Sequence, residues 1–177
     1  MIMTKNKDPN IRKNEILDVA QKLFLTKGYA KTTVNDILNV DGLSKGLFYH
    51  YFKSKEQVMD AIIQRIVDAE VENARNIALN PDLTATEKLL AVLSNSDRTE
   101  KATKDKQEIL DHMHSVDNAQ MRQKSLVQTV KHLAPVIDDI LCENTDIKYP
   151  NETAAFLLAS GQFIFDQGLF NWTDQER

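Results

Sequence analysis

Apolar residues recur along most of this chain at spacings of three and four, the pattern of helices that bury one face. No segment alternates apolar and polar residues as a strand would, so the pattern predicts an all-α protein. The predicted helices run from Pro9 to Lys27, Thr33 to Asp41, Lys45 to Tyr51, Lys55 to about Leu79, onward from Thr84, around 107–114, from about Ala119 to Glu143, and from Asn151 to about Phe170.

Residues 28–56 contain the strongest local signals, because two short helices there have clear beginnings and ends. Thr33 and Asp36 have the spacing of a capping box, in which two side chains satisfy each other's backbone N–H groups. Asp41 and Gly42 should end the first helix, and Ser44 should cap the second. Two capped helices joined by a glycine turn form a helix-turn-helix, a shape that reads DNA but also occurs as plain packing.

The second short helix is unusually aromatic and basic for ordinary surface. Phe48 and Phe52 should point inward, leaving Lys45, Gly46, Leu47, Tyr49 and His50 exposed. Gly46 inside a helix costs about 1 kcal/mol relative to alanine, and a close approach to DNA would explain its presence. The predicted DNA-binding residues are Thr33, Ser44, Lys45, Gly46, Leu47, Tyr49, His50, Lys53 and Lys55.

Charge is distributed unevenly along the chain, which matters because its overall net charge is −4. Residues 1–56 hold ten Lys and Arg against six Asp and Glu, whereas the remaining residues carry a net charge of −8. A basic N-terminal segment can follow DNA phosphates while the acidic remainder faces away from them.

Residues 12–56 closely resemble the N-terminal domain of the tetracycline-repressor (TetR) family of bacterial regulators. The matching residues are Arg12, Ile16, Leu17, Ala20, Leu23, Phe24, Gly28, Tyr29, Thr32, Thr33, Val34, Asp36, Ile37, Gly42, Ser44, Lys45, Gly46, Tyr49, His50, Tyr51, Phe52, Lys53, Ser54, Lys55 and Glu56. Leu38, Asp41 and Leu47-Phe48 depart from the usual family residues. The resemblance implies a homodimeric transcriptional repressor that binds double-stranded DNA. Its C-terminal domain would sense a small molecule.

The resemblance and the helical pattern together divide the chain into two predicted domains. Residues 9–55 form a three-helix DNA-binding domain with its helix-turn-helix at 33–52, and residues 56–177 form a helical regulatory and dimerisation domain. Residues 152–170 are rich in small and large apolar side chains, which favours burial against a second subunit as well as the helix's own core. A monomeric core with a central helix would also satisfy this pattern.

Several classes of protein are disfavoured by what the sequence lacks. No segment approaches the about 20 apolar residues of a membrane span, and a single cysteine fits a reducing cytosol. The family resemblance implies a bacterial cytoplasmic protein associated with the nucleoid. His112, His114, His132 and Cys142 lack the spacing of a zinc site, and Cys142 near the end of an apolar helix is expected to be a small buried side chain. We therefore predict no cofactor, no metal and no enzymatic activity.

Three alternatives to an effector-controlled repressor remain open at this stage. The protein could activate or organise DNA without an effector. It could be a helical small-molecule-binding protein without operator specificity, since helices beyond residue 84 can enclose an apolar cavity. An enzyme using the histidines and Cys142 is the least favoured of the three.

Overall fold

The structure, a computed structural model, describes residues 9–40, 43–93, 116–143 and 147–166. All the regular secondary structure in this described part is helical, and it contains no strand. Its elements are α1 (Pro9–Lys27), α2 (Val34–Val40), α3 (Lys45–Tyr51), α4 (Lys55–Ala78), α5 (Ala85–Leu93), a 3-10 turn (Val116–Asn118), α6 (Ala119–Cys142) and α7 (Pro150–Asp166). The predicted all-α class is therefore confirmed. The proposed stops at Asp41 and Gly42, the helix around 107–114 and the predicted end near Phe170 lie outside the described residues.

The first helix begins and ends where its sequence signals place it. Pro9 occupies the first helical position, where its missing N–H is not needed. Gly28 follows the last residue with a φ of 89°, a left-handed conformation that glycine adopts without a side-chain clash. Its N–H donates to the Phe24 carbonyl at 3.1 Å, which satisfies one of the helix's terminal acceptors.

The described residues cluster into two compact units. The first comprises residues 9–40, 43–64 and 116–122, and the second comprises 65–93, 123–143 and 147–166. The dividing points thus fall inside α4 and inside α6. The first unit extends beyond residue 55, the predicted end of the DNA-binding domain, and it includes a segment from much later in the chain.

The core of the first unit is built from the inward faces of its helices. The apolar residues there that are at most 3 % exposed are Ile16, Leu17, Ala20, Phe24, Ile37, Phe48, Phe52, Val58, Met59, Ile62, Ile63 and Met121. The rings of Phe48 and Phe52 lie 6.1 Å apart between centroids, and both point inward as predicted. Burial of apolar area of this kind is the main favourable term that holds short helices in place.

The second unit shows the same agreement between local signals and helix ends. Thr84 and Glu87 form the predicted capping box at the start of α5, with the Thr84 hydroxyl accepting from the Glu87 N–H at 3.3 Å. The two hydrogen bonds from Thr84 lower the pKa of the Glu87 carboxyl.

A long-range ion pair also lies in the second unit. The nearly buried amine of Lys88 contacts both carboxylate oxygens of Glu143, at 2.9 and 2.8 Å.

Two predictions for the second unit are wrong in detail. The last helix begins at Pro150, one residue before the predicted cap Asn151, because proline fits the first turn and the Tyr149 carbonyl already accepts from the Thr153 N–H. Cys142 is exposed rather than buried. It ends α6 just beyond the buried pair Ile140 and Leu141, so its side chain leaves the apolar face.

Candidate nucleic-acid interface

Helix α3 has one buried and one exposed face, and the exposed face carries most of the predicted DNA-binding side chains. Phe48 is fully buried, which fixes the helix on the core, and its ring meets that of the neighbouring Tyr49 edge-on at 5.3 Å. Lys45 and His50 are exposed, and Tyr49 is 39 % exposed. This face therefore offers an ammonium, a phenol and an imidazole within about two helical turns.

Lys45 has no hydrogen-bond or ion-pair partner among the residues that the structure describes. The amine of Lys53 is also exposed, but it donates to the Tyr49 carbonyl at 3.3 Å and so lies at the C-terminal end of α3. Both cations are available to a phosphate, since the Lys53 contact is exposed and long.

Gly46 occupies α3 without any packing reason inside the described protein. A Cβ atom added to it would meet no atom within 4 Å. Leu47, predicted to be exposed, is half-buried, so only part of its side chain faces outward. The open space at Gly46 keeps the backbone of α3 accessible beside Lys45.

The hydroxyls of Thr33 and Ser44 act first as helix caps, as predicted. Ser44 accepts from the Leu47 N–H at 3.2 Å, which leaves its own O–H free to donate. Thr33 differs, because both its N–H and its hydroxyl donate to the Asp36 carboxylate at 2.7 Å. Of these two caps, only Ser44 retains a donor for a phosphate.

Asp36 collects several donors at the beginning of α2. Besides the two bonds from Thr33, its carboxylate forms an ion pair with Lys27 at 2.8 Å. The Lys27 ammonium, then the two Thr33 bonds, hold the pKa of the Asp36 carboxyl well below its ordinary value. The negative charge therefore persists at the helix N-terminus, where the helix dipole also favours it.

Lys55 is placed differently from the phosphate-contacting role predicted for it. Its amine points into the unit, donating to the carbonyls of Tyr29 at 2.6 Å and Thr32 at 2.7 Å. It also lies 4.2 Å from the centre of the Tyr29 ring, a cation–π distance. Burial lowers the pKa of this amine, opposed by the negative charge of Asp36. Two of its three donors are used inside the protein.

Asp117 and Asn118 were missed by sequence reasoning, which gave residues 115–118 only as a turn. Both contact the loop between α1 and α2, and Asn118 is 1 % exposed there. These contacts join residues that are 86 to 94 positions apart in the sequence, so no local pattern could have indicated them.

The described residues contain no group of histidine, cysteine and acidic side chains able to hold a metal ion. Among the same residues, no helix is long and apolar enough to cross a membrane.

Two protein families match the chain in separate segments. Residues 16–62 match bacterial regulatory proteins of the tetR family, and residues 101–177 match the tetracyclin repressor-like C-terminal domain. Together the two matches cover most of the sequence. The first agrees with the resemblance seen in residues 12–56.

Similar curated proteins match this chain over about a third of its length. The HTH-type transcriptional repressor KstR2 of Rhodococcus jostii is 42 % identical over 57 residues, which are 32 % of this chain and 28 % of that protein. The uncharacterized HTH-type transcriptional regulator YerO of Bacillus subtilis is 35 % identical over 68 residues, 38 % of this chain and 24 % of that protein. The chain thus spans less than a third of the length of these relatives.

Solved structures match over nearly the whole chain. A TetR/AcrR-family regulator from Thermobifida fusca has a TM-score of 0.59 at 28 % identity, covering 95 % of this chain and 88 % of that one. A SmeT–triclosan complex has a TM-score of 0.64 at 20 % identity, covering 90 % of this chain and 80 % of that one, and it shows the shared fold.

These similarities name regulators of transcription, not enzymes, and they agree with a capped helix-turn-helix whose second helix exposes Lys45, Tyr49 and His50. The chain belongs to the TetR family of bacterial transcriptional regulators.

Proposed function

We propose that this protein is a repressor that binds a palindromic operator as a homodimer and is released by a small-molecule effector. The observation that carries the DNA-binding part is the exposed face of α3, where Lys45, Tyr49 and His50 surround the open backbone of Gly46. A dimer would place two such helices in successive major grooves, about 34–36 Å apart.

Within this proposal the predicted site residues have different roles. Lys45, Tyr49 and His50 reach base edges, with Gly46 allowing close approach and Leu47 contributing its outward part. Ser44 and Lys53 contact phosphates, which position the protein without reading sequence. Thr33 and Lys55 hold the geometry of the unit, because their donors are engaged inside it.

Dimerisation is supported by the outward face of α7. Phe156 on this helix is 71 % exposed in the single chain, and Ala159 three residues later is exposed as well. An exposed phenylalanine beside a small side chain is typical of a helix that packs closely against another helix. We therefore place the subunit contact on α7.

Effector control is supported by family membership and by the SmeT relative, which was solved with triclosan. An effector of unidentified chemistry would act on the cytoplasmic protein through the C-terminal helices, between 56 and 177. It can release DNA only if its affinity differs between the DNA-bound and the free arrangement.

Selection from a randomised DNA library tests the proposal directly. The purified full chain should enrich one palindromic sequence, and binding to the selected duplex should weaken steeply with salt. Lys45→Ala and Tyr49→Ala should each abolish the preference for that duplex over random DNA, with helicity and subunit association unchanged.

Lys131→Ala is the matched control, since it removes an exposed lysine from α6 in the other unit. Failure to enrich any sequence would refute operator recognition and leave a helical small-molecule-binding protein as the alternative. Unaltered affinity in both α3 variants would refute the assignment of α3 as the recognition helix.

A further inference from the structure

The 3-10 turn at Val116–Asn118 is built into the first unit although it follows that unit's helices by a long stretch of chain. The side-chain oxygen of Asn118 accepts from the Tyr29 N–H at 2.7 Å, and its amide nitrogen donates to the Phe24 carbonyl at 3.1 Å. Asn118 is 1 % exposed, so water cannot readily replace either bond. One side chain thus ties the end of α1 to the loop that follows it.

Asp117 holds the same loop in three further ways. Its backbone carbonyl accepts from the Ala30 N–H at 3.0 Å, and its carboxylate forms an ion pair with Lys31. Its Cβ atom lies where a side chain at position 28 would go, since a Cβ added to Gly28 would be 2.5 Å away. We call Asp117 and Asn118 the loop clip.

The loop clip is linked to the DNA-binding helices indirectly, through Tyr29 and Lys55. Tyr29, held by Asn118, offers its carbonyl and its ring to the amine of Lys55. Lys55 opens α4 directly after α3, and its amine also binds the Thr32 carbonyl, next to the cap of α2. The position of Tyr29 therefore bears on both helices of the helix-turn-helix.

We propose that Asp117 and Asn118 are positioning residues for DNA binding, so that residues 116–122 complete a reading unit that residues 9–64 do not form alone. This inference rests on the proposed operator recognition. Without the Asn118 side chain, the buried Tyr29 N–H loses the 2.7 Å hydrogen bond that ties it to Asn118, and the loop is no longer fixed at that point. Lys55 and the beginning of α2 would move with it, while Asn118 itself touches no DNA.

The test compares Asn118→Ala with Gln120→Ala in the full chain. Gln120 is exposed on the same segment and serves as the matched control. The DNA probes are the duplex that the wild-type chain selects from a random library and a random-sequence duplex of equal length. Hydrogen exchange of the Tyr29 and Ala30 amides reports whether the loop opens.

In Asn118→Ala we expect these two amides to exchange about tenfold faster or more, because a buried hydrogen bond is lost. The ratio of selected to random affinity should fall about tenfold, since misplaced recognition helices lose base contacts before phosphate contacts. A merely structural role would lower thermal stability and leave this ratio unchanged in the folded protein. Gln120→Ala should change neither readout.

The proposal would be overturned if folded Asn118→Ala showed unchanged hydrogen exchange at the Tyr29 and Ala30 amides. An unchanged ratio of selected to random affinity would overturn it as well. Should that variant fail to fold, Asp117→Ala replaces it, because this change keeps Asn118 and the backbone bond to Ala30 and removes only the Lys31 pair. In Asp117→Ala, a smaller increase in amide exchange together with a smaller fall in the affinity ratio would support the loop clip. No change in the two quantities would overturn it. If the wild-type chain selects no duplex, operator recognition fails, and hydrogen exchange alone decides whether the loop clip holds the loop.

Discussion

The amine of Lys55 donates to the carbonyl of Tyr29 at 2.6 Å while lying 4.2 Å from the centre of the same residue's ring. One cation therefore satisfies a loop carbonyl and stacks on the aromatic side chain beside it. A lysine so close to the end of α3 would ordinarily be assigned to DNA phosphates. Here its charge is used to join the start of α4 to the α1–α2 loop.

Replacing this lysine should affect stability more than phosphate binding. We expect Lys55→Met to lower the free energy of unfolding by about 1–3 kcal/mol, because two carbonyls lose their donor. In the folded variant, the slope of log affinity against log salt concentration should stay as in the wild type. Chemical denaturation and binding titrations at several salt concentrations measure the two quantities.

Lys53→Met is the matched control, because its exposed amine makes only a 3.3 Å contact to the Tyr49 carbonyl. This variant should keep its stability and reduce the salt slope by about 1, as expected for a lost phosphate contact. A reduced slope in Lys55→Met would show that its amine turns to DNA on binding.

Gly46 should lower the stability of the folded protein and favour its binding to DNA. An added Cβ meets nothing within 4 Å in the free protein, so Gly46→Ala should raise the free energy of unfolding by about 1 kcal/mol. The same methyl group should weaken binding to the selected duplex, because it occupies the space that we assign to DNA. Thermal unfolding with and without the duplex checks both signs. Tighter binding in a stabilised Gly46→Ala would refute the close approach.

The helix-turn-helix was predictable from sequence because its signals are local. Ser44 and Leu47 are three residues apart, as are Thr33 and Asp36, and such cap pairs are visible in any sequence window. The buried pair Phe48 and Phe52 follows from helical spacing alone. These features fix α2 and α3 without knowledge of the rest of the chain.

The contacts of Lys55 and Asn118 could not be predicted from the sequence, because they are not local. Their partners, Tyr29 and Phe24, are 26 to 94 residues away, and nothing in the neighbouring residues encodes a contact of that range. Periodicity also misplaced Cys142, because it marks which helix is apolar but not which residue of the last turn leaves the core.

The beginning of α2 should lose stability in acid through Asp36. Its pKa is lowered in the folded protein by Lys27 and Thr33, so the carboxylate stabilises the fold above its ordinary pKa of 3.8. As pH falls below that value, the unfolded chain takes up the proton first and this contribution is lost. The stability difference between wild type and Asp36→Asn should therefore shrink as the pH drops below about 4.

Thermal unfolding across this pH range gives the comparison, with Asp139→Asn, an exposed aspartate of α6, controlling for the change in net charge. A difference between wild type and Asp36→Asn that stays constant with pH would contradict the role assigned to the Lys27 pair.

The subunit contact on α7 should depend on Phe156, whose side chain is 71 % exposed in the single chain. We expect Phe156→Glu to shift the protein from dimer toward monomer, because a charge would be buried without a partner at the contact. Sedimentation equilibrium measures this, with Leu90→Glu on α5 as a control for another exposed apolar residue. Equal dissociation in both variants, or in neither, would remove α7 from the interface.

Gly28 and Asp117 should be coupled in stability although 89 residues separate them. Gly28→Ala must place a side chain at a φ of 89° and 2.5 Å from the Asp117 Cβ, so it should cost more than about 1 kcal/mol. Asp117→Gly removes that Cβ, and only the backbone strain then remains. A double-mutant cycle by chemical denaturation should therefore show Gly28→Ala to be less costly in the Asp117→Gly background, by about 0.5 kcal/mol or more.

Gly161→Ala is the control for this cycle. A Cβ added at Gly161 meets nothing within 4 Å, so its effect on the free energy of unfolding should be additive with that of Asp117→Gly. Additivity at Gly28 as well would mean that Asp117 does not lie against the loop in solution.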